Sequence, residues 1–161
     1  QAIILAAGMG KRLGELTRNN TKCMVKVNGI PDRSYINSAF PVGFVESNNI
    51  IGYKGDLLRN YIGHKYKGLK IEYIENPVYD KTNNIYSLSL AKKELQKDDT
   101  LLIESDLIFD DTLFPMIVYN PYPNLALVAK YETWMDGTMV RLDEENNIVN
   151  FIPKKALNTE M

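Results

Sequence analysis

Apolar and polar positions follow two different periods along this chain. Residues 1–7 form a short apolar run that stops at Gly8, the pattern of a buried strand. After a glycine-rich turn, Lys11 to Leu16 can begin a helix. Met24 to Val27 reads as a short strand before an Asn28-Gly29 turn. Leu57, Leu58, Tyr61, Ile62 and Tyr66 recur at helical spacing, with Asp56 placed to cap that helix. Leu69, Ile71 and Tyr73 alternate with polar neighbours, as in a strand. Ile85, Leu88, Ala91 and Leu95 mark one helix face, with Asn83 or Asn84 as its cap. Thr100 to Ile103 predicts a strand that runs into Glu104-Ser105-Asp106. Asp111 to Asn120 is helical provided Pro115 lies in the first turn. Leu125 to Tyr131 reads as another apolar strand. Met139 to Leu142 and Ile148 to Ile152, joined by five polar residues, read as a hairpin.

Alternation of strand and helix predicts an α/β fold. We expect a Rossmann-like, mostly parallel mixed sheet with helices on both faces and an antiparallel hairpin near the C-terminus. Ligands on such sheets bind at the carboxyl ends of the strands. The stretch 31–49 does not fit: it shows no period and carries Pro31, Pro41 and Gly43. A loop of that length is uncommon inside a compact domain.

Composition narrows the picture. The 161 residues suit one domain, and 45% hydrophobic with 24% charged residues is ordinary for a globular chain. Nineteen basic and twenty acidic residues give a net charge of −1. No global field is therefore available to hold nucleic acid or an anionic membrane. No apolar run approaches the roughly 18–20 residues of a membrane span. With one cysteine, Cys23, and no readable signal peptide, the expected location is the cytoplasm.

The strongest local signal is Leu5-Ala6-Ala7-Gly8-Met9-Gly10-Lys11-Arg12-Leu13. Small residues let the backbone approach a ligand, successive N–H groups can face phosphate oxygens, and two cations follow. A glycine pair alone is also compatible with a plain strand-to-helix turn. Gly8, Gly10 and Gly14 also approximate a dinucleotide fingerprint. That reading wants an acid ending a second strand, and Asp32 follows Gly29-Ile30-Pro31 instead.

The wider pattern is more specific. Leu5 to Leu13, Thr17, Thr21 to Val25 and Val27 to Pro31 together resemble the nucleotidyltransferase signature LxAAGxGxRL…T…PKxLxxxxGxP. Thr21 stands where most sugar-nucleotide members have Pro. Gly52-Tyr53, the run Asn83 to Ala91 and the pair Glu104/Asp106 resemble the subset of bacterial LicC-type choline-phosphate cytidylyltransferases. The resemblance implies attack of an acceptor phosphate on the α-phosphorus of CTP, with pyrophosphate leaving. It implies that Leu5, Ala6, Ala7, Gly8 and Gly10 wrap the nucleotide, and that Asn83, Asn84 and Ser87 read the base and ribose. Lys11 and Arg12 then stand near the leaving pyrophosphate and Lys22 near the phosphates. Asp106 and Glu104 become ligands for Mg²⁺, a hard cation suited to carboxylates and phosphates. From residue type alone, a surface lysine is the favoured reading of Lys22, while the carboxylates are equally a solvated strand end and the asparagines compete as helix caps.

Trp134, beside Tyr131, Glu132 and Asp136, offers an aromatic face and carboxylates for a quaternary ammonium acceptor such as phosphocholine. Trp134 and Asp136 are therefore candidate acceptor residues; an edge aromatic is the plainer reading. The family also uses a carboxylate from a later strand, which neither Asp136 nor Asp143 matches. We thus expect one nucleotidyltransferase catalytic domain over 1–161, incomplete at its carboxyl end, with 31–49 unreadable. The expected partners are CTP and a small phosphorylated acceptor, with no nucleic acid and no membrane insertion. A fused or partner kinase stays open. The alternatives are a sugar-1-phosphate nucleotidyltransferase, a non-catalytic nucleotide-binding regulatory domain and, third, a nicotinamide oxidoreductase.

Overall fold

The structure is a computed structural model that describes residues 1–27, 30–31, 43–110, 112–135 and 137–152. The chain divides into two compact units, Gln1–Pro121 and Tyr122–Met161.

The first unit is built on a five-stranded sheet. Its strands are β1 (Ala2–Ala6), β4 (Glu46–Ile51), β5 (Lys65–Tyr66), β6 (Leu69–Glu75) and β7 (Leu101–Glu104). Their order is β5-β6-β4-β1-β7; only β5 pairs antiparallel. Two short strands, β2 (Lys26–Val27) and β3 (Ile30–Pro31), form a separate antiparallel pair. The helices are α1 (Glu15–Arg18), α2 (Gly55–Ile62), α3 (Asn84–Leu90), α4 (Lys92–Leu95) and α5 (Leu113–Val118).

Alternation within β1 explains why both sheet faces are covered. Ala2, Ile4 and Ala6 face a core with Leu58 and Ile62 of α2 and Phe114 of α5. Ile3, Leu5 and Ala7 face the other core, with Ile50, Ala91 and Leu88. A central parallel strand buried on both sides commonly reads as a continuous apolar run, and β1 does. From β1 the sheet grows outward through β4 to β6, then the chain returns to place β7 on the other side of β1. The loops after β1 and β7 therefore leave in different directions from adjacent strand ends, the switch point where such sheets form crevices.

Several expectations change. The unreadable stretch 31–49 ends in β4, a central strand whose first half is polar. Ser47, Asn48 and Asn49 are buried there. Asn48 donates to the Gln1 side chain at 3.2 Å, and Asn49 to Ser47 Oγ at 3.2 Å. Side-chain hydrogen bonds thus replace the apolar period that a sequence reading seeks. Residues 32–42 and the Asn28-Gly29 turn lie outside the described residues.

Leu125 to Tyr131 forms no strand; among the described residues it finds no ladder partner, and its large apolar side chains are exposed. Lys22–Met24 is a 3-10 turn, which leaves only Lys26–Val27 for β2. The predicted helix from Lys11 becomes a 3-10 turn, Lys11–Leu13, followed by α1. α2 stops at Gly63 (φ 76°), and its N-cap is Lys54 rather than Asp56, which instead pairs with Arg59 at 2.8 Å. The helix expected through Ala91 breaks there into α3 and α4, and Ile85 faces outward, 74% exposed.

In the second unit β8 (Met139–Leu142) and β9 (Ile148–Ile152) form the expected antiparallel hairpin. Among the described residues, no helix is long and apolar enough to cross a membrane.

The two helix positions give a direct check. Leu58→Ala removes a side chain from the packed core and should cost about 2–5 kcal/mol in urea unfolding. Ile85→Ala should stay within about 0.5 kcal/mol of the parent, where a core position would not.

Candidate functional site

The site is assembled from the ends of β1 and β7, which lie side by side with Leu5 opposite Glu104. Beyond β1, Ala7 is buried and Gly8 is exposed. A Cβ added at Gly8 would meet nothing within 4 Å, so the backbone there borders open space. Gly10 adopts a left-handed conformation (φ 62°), which favours glycine. A Cβ there would also lie 2.8 Å from the Thr17 methyl and 3.2 Å from Lys22 Cβ. The loop is pinned at its start from the other side as well. Tyr53 N donates to Ala7 O at 3.1 Å, and Ser105 N donates to Leu5 O at 3.2 Å.

Next to this loop, the Lys22 ammonium forms an ion pair with the Asp106 carboxylate. The two side chains are 31% and 29% exposed, so the pair is neither fully solvated nor sealed. Lys22 starts the 3-10 turn closed by Met24 N donating to Thr21 O at 3.1 Å. That turn is anchored by its buried neighbours, Thr21 and Cys23, whose Oγ1 and Sγ lie 3.0 Å apart. Burial pushes the Cys23 thiol upward in pKa, which suits packing and disfavours a thiolate.

Glu104 ends β7 and accepts a hydrogen bond from Asn84 Nδ2 at 3.0 Å. Its carboxyl is held above the usual glutamate range, first by burial and then by the Asp106 charge. Lys22 and the Asn84 amide oppose that shift without cancelling it. Asn84 is placed by the cap of α3: Asn83 Oδ1 accepts from Tyr86 N at 3.2 Å. Of this asparagine pair, Asn83 is the helix cap and Asn84 instead hydrogen-bonds to Glu104.

Other candidates fall differently. The side chains of Leu5, Ala6 and Ala7 belong to the cores, so only their backbone groups could meet a ligand. Ser87 is buried, and its hydroxyl accepts from Asn76 Nδ2 at 3.0 Å. Asn76, which the sequence reading missed, also donates to Thr82 Oγ1 and accepts from Val78 N, both at 3.0 Å. It thereby fastens the loop between β6 and α3. Its only sequence signal is an asparagine ending an alternating strand. Lys11 and Arg12 are exposed on the glycine loop. Trp134 lies in the second unit, exposed, with Nε1 donating to the Glu132 carboxylate at 2.5 Å. Asp136 lies outside the described residues.

The expected metal donors, Glu104 and Asp106, lie at the end of β7 and just beyond it. Among the described residues no third acid, histidine or cysteine joins them to complete a protein-only cage. Two carboxylates fit a hard cation that takes its remaining ligands from phosphate and water.

Comparison with known proteins bears on the family and the fold. The nucleotidyl transferase family model matches residues 1–133. A CMP-5'-(3-aminopropyl)phosphonate synthase from Streptomyces rubellomurinus is 29% identical over 153 residues, covering 94% of this chain and 24% of that protein. A 2-aminoethylphosphonate cytidylyltransferase from Lancefieldella rimae is 32% identical over 151 residues, covering 92% and 58%. The solved CTP:phosphocholine cytidylyltransferase LicC from Streptococcus pneumoniae superposes with a TM-score of 0.56 at 38% identity, covering 66% of this chain and 44% of that one. The chain spans less than two thirds of each of these relatives.

The raised Glu104 carboxyl has a consequence for stability. A carboxyl with a folded pKa above its unfolded value favours the fold most below the unfolded pKa, and that contribution is lost as pH rises through the folded value. Glu104→Gln should therefore match the parent at acid pH and become relatively more stable as pH rises towards neutral. Urea unfolding of both proteins from pH 4 to 7 measures the difference; a constant gap would refute the shift.

Proposed function

The chain belongs to the nucleotidyl transferase family, and on that premise we propose that it transfers the cytidylyl group of CTP to a small phosphorylated or phosphonylated amine, phosphocholine among them. The observation that carries this reading is the Lys22–Asp106 pair beside the glycine loop, with Glu104 and Asn84 adjoining it. The named substrates of the relatives supply the choice of CTP and of an amine-bearing acceptor.

In this reaction an oxygen of the acceptor phosphate or phosphonate bonds to the α-phosphorus of CTP. The bond from that phosphorus to the bridging oxygen of the β-phosphate breaks, and pyrophosphate leaves. Positioning and charge neutralisation do most of the work in such transfers. Backbone N–H groups of the Gly8–Gly10 loop would hold the triphosphate. Lys11 and Arg12 would take up the charge that grows on the leaving pyrophosphate. Lys22, a compact point charge, would draw together two anions that otherwise repel. Asn84 would face the nucleoside, with Asn83 fixing its helix. Glu104 and Asp106 would hold Mg²⁺, which supplies further charge neutralisation on the phosphates when bound. Trp134 and Asp136 remain the proposed contacts for the cationic end of the acceptor, through cation–π and charge attraction. The reaction uses soluble substrates, and a cytoplasmic setting suits it.

Pyrophosphate release by the full-length protein tests the assignment. CTP should be turned over with phosphocholine or an aminoalkylphosphonate, and not UTP or dTTP with a hexose 1-phosphate. Turnover only of the sugar pair would replace the proposal with sugar-nucleotide synthesis. Binding of CTP with no turnover of any acceptor would favour a regulatory domain. Lys22→Ala should lower kcat by about 10²–10³-fold, the usual effect of removing one charge-stabilising group.

A further inference from the structure

Thr17 takes no part in the reaction just described, yet it is buried within the phosphate loop's own turn. Its hydroxyl donates to Gly10 O at 3.0 Å and lies 3.2 Å from Gly14 O, within reach of a shared proton. These two carbonyls bracket the 3-10 turn that carries Lys11 and Arg12. Each already accepts from a backbone group: Leu13 N donates to Gly10 O at 2.9 Å, and Thr17 N to Gly14 O at 3.2 Å. The Thr17 methyl fills the space where a Cβ at Gly10 would fall, and Lys22 Cβ borders the same space. The same residue also lines a cavity of about 250 Å³ with Met9, Lys11, Gly14, Glu15, Arg18 and Tyr53.

From this arrangement we propose that Thr17 is a positioning residue for the triphosphate: its hydroxyl ties both ends of the cation-bearing turn and keeps two carbonyl oxygens turned away from the bound phosphates. The inference rests on the nucleotidyl-transfer reading above. Its physical content is a sign. A backbone carbonyl carries partial negative charge and repels phosphate, while an N–H attracts it. Without the hydroxyl each carbonyl keeps a single backbone N–H partner, Leu13 N for Gly10 and Thr17 N for Gly14, and the side-chain tie between the two ends of the turn that carries Lys11 and Arg12 is lost. The loss falls on the β- and γ-phosphates, which face the turn, and spares the nucleoside end, which is held from α3.

Thr17→Val conserves shape and removes only the hydroxyl, whereas Thr17→Ser keeps the hydroxyl and removes the methyl. The readout is the ratio of CTP to CMP affinity, titrated calorimetrically in the full-length protein, with Tm followed in parallel. Thr17→Val should lower that ratio about tenfold, the effect of losing one shared hydrogen bond on a loop. Thr17→Ser should keep the parental ratio. Equal weakening of CTP and CMP by Thr17→Val would mean general loosening of the fold and would overturn the proposal. So would a loss of the ratio in Thr17→Ser as large as in Thr17→Val. A parent protein that binds no nucleotide would instead refute the nucleotidyl-transfer reading itself, which makes the two failures distinguishable. If Thr17→Val does not fold, the serine variant still decides, since a hydroxyl tie requires it to keep the ratio.

Discussion

The Lys22 ammonium and the Asp106 carboxylate meet where the sheet reverses its strand order, between the ends of β1 and β7. Neither charge could be left alone in that half-sheltered position without a desolvation cost, so each makes the other tolerable there. Glu104, a neighbour in the same field, has its pKa raised, first by burial and then by the Asp106 charge, against the opposing pull of Lys22 and the Asn84 amide. Burial and charge therefore act differently on the two carboxylates: Asp106 is paired with Lys22, Glu104 is bonded to an amide, and the exposed cations Lys11 and Arg12 stand on the adjoining loop.

Placing those charges depends on backbone features that carry no charge. Gly10 must be left-handed, and Gly52 must lack a side chain, since a Cβ there would lie 2.7 Å from Tyr79 Cβ and 2.9 Å from Ala7 O. Gly52 is the point where the loops after β1, β4 and β6 crowd together. Tyr53 then hydrogen-bonds back to Ala7, and its hydroxyl donates to Arg18 O at 3.0 Å. The glycine loop is therefore gripped on both flanks, and its open side is the one at Gly8.

Much of this was readable in the sequence because it follows local rules. β1 announces itself as an unbroken apolar run, the Asn83 cap as an asparagine ahead of a helical period, and Glu104/Asp106 as acids ending a strand. What failed to read depends on partners distant in the chain. β4 looks like a polar loop until Gln1, Ser47 and Glu72 are placed beside Asn48 and Asn49. Even then Asn49 Oδ1 has no hydrogen-bond partner among the described residues. Leu125 to Tyr131 has the composition of a strand, but composition cannot supply a ladder neighbour. Ile85 obeys the helical period and still faces outward, because α3 ends at Leu90 and meets the sheet through Leu88 and Ala91.

Thr21 shows how a motif can change its letters and keep its geometry. The family signature usually has proline before this lysine, and Thr21 sits at φ −79° and ψ 155°, a conformation that proline also adopts. Proline has no N–H to give. Thr21 uses its own, donating to Asn20 Oδ1 at 3.0 Å, while Asn20 Nδ2 donates to Met24 O at 2.9 Å. Its hydroxyl adds the contact with Cys23. Hydrogen bonds to a neighbouring side chain thus replace the ring that would otherwise fix the backbone. The turn leading to Lys22 is held by polar contacts instead of by covalent restriction, and the ammonium still arrives at Asp106. What the position requires is an extended, immobilised residue one step before the lysine, and threonine with Asn20 meets that requirement as proline would.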